Sequence, residues 1–187
     1  MYIIVGLGNP EEKYFKTFHN LGYNAVGDVA AKLGVKFKKR ECSSYTAEAN
    51  VSGEKVILAR PLTYMNNSGE AVKQLLAKYK ADPSQLTVIY DDYDIPKGKL
   101  RIRPEGSGGT HNGMRSVIAE INTEKFTRIR IGIRDSEVNI PIINYVLSEV
   151  KKDDYSLFVS ACERAADAAI SLAKGTPAEL VMTEFNG

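Results

Sequence analysis

The sequence predicts an α/β fold, a single domain in which a central mixed β-sheet is covered by helices on both faces. Three observations carry that expectation. Short apolar runs of strand length alternate with stretches in which apolar residues recur at helical spacing. Several runs, such as Tyr2-Ile3-Ile4-Val5, are apolar throughout, as strands buried on both faces are. At 187 residues the chain suffices for one well-buried core and is too short for two ordinary domains and a linker. Residues 1–187 are therefore read as one domain.

In chain order, the first strand is expected at 2–5. It stops in Gly6-Leu7-Gly8-Asn9-Pro10, where glycine permits a tight turn and proline cannot extend a ladder. Leu21, Ala25, Val26, Val29, Ala30 and Leu33 mark a helix, with Gly34 as its stop. Strands are expected at 44–51 and 55–59, and Ala71, Val72, Leu75, Leu76 and Tyr79 mark a second helix. The run 86–90 reads as a strand closed by Asp91. Strands at 99–103 and 127–133 enclose a helix near 113–121. After Asp135 the pattern turns mostly helical, with a long helix near 154–174. Between them, 136–154 carries Pro141, a short apolar stretch and a charged run, and reads either as a mobile lid over a cleft or as a rigid surface connector.

Composition excludes several classes. Hydrophobic residues make up 43% and charged residues 26%, an ordinary balance for a globular chain. No apolar stretch approaches the roughly 20 residues of a membrane span, and no basic region precedes a long apolar segment as in an export signal. Cys42 and Cys162 lack metal-type spacing and read as reduced thiols in a cytoplasmic protein. The net charge of +2 does not announce a nucleic-acid binder, but its distribution is suggestive. Lys99, Arg101 and Arg103 alternate with Leu100 and Ile102, and Arg128 and Arg130 alternate with Ile129, Ile131 and Ile133. Such strands present basic faces suited to tracking phosphates, or merely solvated ones.

The chemistry-bearing residues fall at strand ends, where open α/β sheets gather ligands. His19, one of two histidines, titrates near neutrality and suits a general base. Asp91 is placed to accept its N–H, fix the tautomer and stabilise the imidazolium. No G-x-S-x-G motif supplies a nucleophile, so the implied nucleophile is water. Asn9, Asn66 and Asn112 come from three separate motifs, and their neutral amides can orient a carbonyl or a peptide N–H. Their alternative is an asparagine bonding its own turn.

Five motifs, G-L-G-N-P, T-F-H-N-L-G, P-L-T-Y-M-N-N-S-G, D-D-Y-D-I-P-K-G and G-G-T-H-N-G, occur in this order from Tyr2 onward. Together they resemble the bacterial peptidyl-tRNA hydrolases. The resemblance implies a cytoplasmic, monomeric esterase that cleaves the bond between a peptide and the 3′-terminal ribose of tRNA. It implies no metal, no cofactor, no membrane and no obligate protein partner. His19 and Asp91 match the family's base and its partner. Asn9 and Asn66 match residues at the scissile bond and peptide, and Asn112 one that binds substrate or fixes the water. Tyr14 matches a tyrosine by the tRNA terminus, and Met65 an apolar cleft residue. Arg103 and Arg130 match cations that clamp tRNA phosphate. His111 is read as structural or supporting.

Three positions depart from the family pattern. Glu11 stands where Gly generally follows N-P, Phe18 where Arg commonly precedes the histidine, and Thr110 where Gly usually precedes H-N-G. Competing readings are a dinucleotide fold, which Pro10 and Glu11 break at G-x-G-x-x-G, and a Mg²⁺ phosphohydrolase using Asp91, Asp92 and Asp94. A third is a non-catalytic RNA-binding relative, which would have no need of His19 and Asp91.

Overall fold

The computed structural model describes all of residues 1–187. Seven strands form one sheet: β1 (Tyr2–Gly6), β2 (Lys39–Glu41), β3 (Ser44–Val51), β4 (Glu54–Pro61), β5 (Leu86–Pro96), β6 (Leu100–Arg103) and β7 (Thr127–Arg134). Six helices accompany them: α1 (Leu21–Lys32), α2 (Ser68–Tyr79), α3 (Asn112–Ile121), α4 (Ile142–Val146), α5 (Tyr155–Ala173) and α6 (Ala178–Phe185). The strand order is β2-β3-β4-β1-β5-β7-β6. β1 runs parallel to β4 and β5, and β5 to β7, while β2, β3 and β6 are added antiparallel. The sheet is mixed, as expected.

Period-two alternation divides the core. Ile4, Leu58, Ile89, Ile129 and Ile131 pack with α1 and α5 on one face. Ile3, Val5, Ile57, Val88 and Tyr90 pack with α2 and α3 on the other. Two glycines let α1 sit hard against the strand ends. A Cβ on Gly6 would fall 2.1 Å from the Gly22 carbonyl oxygen, and one on Gly22 would fall 2.3 Å from that of Ile89. The residue after His19-Asn20-Leu21 is thus constrained by backbone contact, and His19 is fixed at the head of α1.

Three expectations need correction. Asp91 does not close its strand: β5 continues to Pro96 through an irregularity after Asp92, with Asp91 paired to Ile131 and Pro96 to Arg134. The polar run reads as a strand end, but neighbouring β7 supplies the ladder partners. Arg128 does not belong to a solvated basic face. It is only 2% exposed because the 104–110 loop folds over it. β2, α4 and α6 were not located as separate elements, and β2 and α4, with three and five residues, are too short to show a period.

Candidate active site

A cleft of about 800 Å³ opens over the ends of β1, β4 and β5. The first-strand motif contributes Asn9, the head of α1 His19, and β5 Asp91. Met65 and Asn66 come from the turn before α2, and His111 and Asn112 from the start of α3. All line the cleft, and so do Tyr14 and Arg130. Arg103 does not. It lies exposed on β6, opposite Arg128, while Arg101 lies opposite Arg130. The basic stripe therefore runs from the cleft outward along β6 and β7.

Asp91 is 1% exposed and lies between the two histidines. His19 Nδ1 stands 3.0 and 2.9 Å from its two oxygens, and His111 Nε2 stands 3.1 Å from Oδ1. Burial opposes the Asp91 charge, but both imidazoles counter it and hold the carboxyl well below the usual range. An ionised Asp91 can only accept, so His19 Nδ1 donates. His19 Nε2 is then the proton-accepting atom, and the protein gives it no partner. His111 is fixed independently. Its Nδ1 accepts the Met114 N–H at 3.2 Å as the N-cap of α3, so Nε2 carries the proton given to Asp91. Burial lowers the basicity of His19 and the Asp91 charge and hydrogen bond raise it, with a net upward shift.

Asn9 is held as firmly. Its N–H donates to Asn20 Oδ1 and its carbonyl accepts from Asn20 Nδ2, both at 2.9 Å. Its Oδ1 accepts the Met65 N–H at 2.9 Å, leaving Nδ2 as the donor offered to the cleft. Met65 is buried in the core and lines the cleft as well. Asn66 and Asn112 are exposed cleft residues with no protein partner for their amides.

Asp91, Asp92 and Asp94 do not converge as a cation site. Asp92 accepts the Asp94 N–H at 2.8 Å and lies 3.4 Å from Arg130 Nη1, and Asp94 is exposed. His111 and Asn20 were underweighted by sequence reasoning. Both sit beside residues that were singled out, in T-F-H-N and T-H-N-G, where adjacency was their signal. The aliphatic wall of Ile142, Ile143, Val146 and Leu147 gave none beyond a short apolar stretch.

Arg128 braces the glycine-rich loop ahead of His111. Nη1 donates to the Gly106 and Ser107 carbonyls at 2.5 and 3.1 Å, and Nη2 to Glu124 and Phe126 at 2.8 and 3.4 Å. Phe18 is buried, stacked on Tyr145 and edge-on to Phe158, so the departure before His19 places a core contact there.

A layered α/β sheet with a buried His–Asp pair beneath an open cleft, and no serine or cysteine bonded to that histidine, is the framework of a hydrolase. Residues 3–187 match the family described as peptidyl-tRNA hydrolase. A peptidyl-tRNA hydrolase of Alkaliphilus metalliredigens is 48% identical over 165 residues, 88% of this chain and 89% of the relative. That of Alkaliphilus oremlandii is 41% identical over the whole of both chains. The crystal structure of peptidyl-tRNA hydrolase from Acinetobacter baumannii superposes with a TM-score of 0.92 at 31% identity, covering 100% of this chain and 95% of that one. The chain belongs to the peptidyl-tRNA hydrolase family and is an ester hydrolase of peptidyl-tRNA, with a role in translation.

Proposed function

We propose that His19 is the general base that takes a proton from water at Nε2, with Asp91 holding the imidazole and stabilising its charged form as the water attacks the ester carbonyl. The observation that carries this is the pair of short contacts from His19 Nδ1 to an ionised, buried Asp91, which leaves Nε2 turned to the cleft. Asn9 Nδ2 suits the carbonyl whose oxygen gains charge, and Asn66 and Asn112 suit the peptide and the water. Tyr14 lies where the tRNA terminus would enter, and Met65 forms the apolar floor. Arg130, at the cleft, and Arg103, further along the stripe, are the phosphate contacts. Hydrolysis on this reading requires no metal or cofactor. The enzyme acts as a single-domain cytoplasmic monomer without an obligate protein partner.

The lid reading narrows within 136–154. Phe18 N–H donates to the Ser148 carbonyl at 3.3 Å and Val150 N–H to that of Lys16 at 2.9 Å, pinning the later part. Ile140, Ile142 and Ile143 remain exposed, so closure would occur in the earlier part. The test is cleavage of N-acylated aminoacyl-tRNA in a chelator by wild type and His19→Ala. Wild type should be active, and His19→Ala should lose about 10²–10⁴-fold in turnover while still binding tRNA. Near-normal turnover in His19→Ala would overturn the assignment.

A further inference from the structure

Position 11 carries a carboxylate where the family pattern has glycine, and both of its oxygens are engaged. Glu11 Oε1 accepts the Tyr64 hydroxyl at 2.6 Å, and Oε2 lies 3.3 Å from Lys13 Nζ. The bridge ties the loop after β1 to the loop after β4 at the edge of the cleft that Tyr64 lines. Both partners keep the Glu11 carboxyl below its ordinary range, the Tyr64 hydroxyl most strongly. Glu11 therefore remains an acceptor across neutral pH, and Lys13 offsets its charge beside a polyanionic substrate.

Tyr64 has an unusual backbone. Its φ of 63° and ψ of 162° fall in a region nearly reserved for glycine, which a side-chain-bearing residue occupies when its surroundings impose it. That twist delivers the Met65 N–H to Asn9 and turns the Tyr64 ring outward, 47% exposed. No aromatic partner holds the ring. Its hydroxyl bond to Glu11 is the only side-chain contact of hydrogen-bond type that fixes it.

We propose that Glu11 is a positioning residue, anchoring the Tyr64 ring at the cleft mouth so that the ring meets a flat or apolar group of the peptidyl-tRNA in one orientation. The inference rests on the cleft being the substrate site, as argued above. Preorganising a contact removes the cost of ordering it on binding, so the anchor acts on substrate affinity and not on the proton transfer at His19.

Steady-state kinetics on N-acylated aminoacyl-tRNA test this with Tyr64→Phe, Glu11→Ala, the double variant and Glu11→Gln. Tyr64→Phe keeps the ring at an exposed position, and a melting curve confirms that each variant folds. Tyr64→Phe and Glu11→Ala should each raise KM about three- to tenfold, as loss of a partly exposed charge-assisted hydrogen bond implies, with kcat nearly unchanged. The double variant should be no worse than either single one, because both remove one interaction. Glu11→Gln retains an acceptor and should restore KM. An unchanged KM in Tyr64→Phe, a loss confined to kcat, or additive effects would each overturn the proposal. His19→Ala run alongside separates the two readings: its retaining turnover defeats the catalytic assignment, whereas the KM pattern decides the anchor.

Discussion

The ring of Phe18 lies 4.6 Å from that of Tyr145, inclined by only 18°, so the residue preceding the proposed base is stacked on the helix that forms the aliphatic wall of the cleft. Tyr145 is itself fixed by its hydroxyl, which donates to the Ile133 carbonyl at 2.6 Å. Phe18→Ala should cost about 3–5 kcal/mol, the usual loss for a buried phenylalanine. It should also raise hydrogen exchange at 141–150 more than elsewhere. Urea unfolding followed by exchange checks both, and uniform exchange would show that stack and wall are uncoupled.

The pH dependence follows from the His19–Asp91 pair. Burial works against the imidazolium, but Asp91 outweighs it and places the His19 pKa above 6.5. A base must be unprotonated, so kcat/KM should fall with unit slope as pH drops through that raised value. In Asp91→Asn the attraction is gone and burial remains, so the residual activity should fall at a lower pH. For stability the signs are opposite at the two ends. The raised His19 pKa contributes fully below 6.5 and is lost as pH rises through the folded value. The depressed Asp91 pKa contributes above 3.8 and is lost as pH falls through its folded value. Urea midpoints of wild type and His19→Ala should therefore differ most between these limits, and the gap should narrow in alkali without closing, because neutral His19 still donates Nδ1–H to the buried Asp91.

Arg103 and Arg130 should be separable from chemistry by salt. Each phosphate contact removed lowers the slope of log affinity against log salt by about 0.7–0.9. Arg103→Ala and Arg130→Ala should flatten tRNA binding in this way and leave turnover of saturated enzyme nearly unchanged. On the proposed role for Arg130, its 3.4 Å contact to Asp92 competes with phosphate, so Asp92→Asn should strengthen tRNA binding modestly. Slopes identical to wild type would mean that the tRNA is gripped elsewhere.

Arg128→Met should behave differently from its neighbours on the stripe. It strands the four carbonyls that the guanidinium serves, with an expected loss of about 2–4 kcal/mol. That corresponds to a fall of roughly 4–16 °C in melting temperature for a chain of this size. Arg103→Met should leave the melting temperature almost unmoved, and equal effects would refute the distinction.

Periodicity made most of the sheet and the long helices legible, because repeated apolar positions are what bury one face of an element. α4, with five residues, cannot complete that repeat, and its role depends on Phe18, far away in sequence. Asp91 was legible as a partner for His19 but not as a mid-strand residue, since continuation of β5 depends on the β7 ladder. Arg128 shows the limit of charge alternation. Its period matches that of Arg130, yet a loop that glycine makes pliable covers one and not the other. Asn9 and Asn112 were legible because each adjoins a glycine or proline that halts or turns the chain, in Gly8-Asn9-Pro10 and Asn112-Gly113, and the structure brings both to the cleft that His19 and Asp91 line.

The hydrogen bonds that join Met65 to Asn9 and His19 to Asp91 close loops of 56 and 72 residues. The first contact follows the parallel pairing of β1 with β4 and the second that of β1 with β5, and pairings of such separation are slow to form because the chain entropy is lost before the contacts repay it. Recovery of hydrolysis during refolding should consequently be a late signal. Helical circular dichroism can return while the base still lacks its carboxylate, and a population that looks folded by secondary structure can be catalytically silent until the central strands have docked.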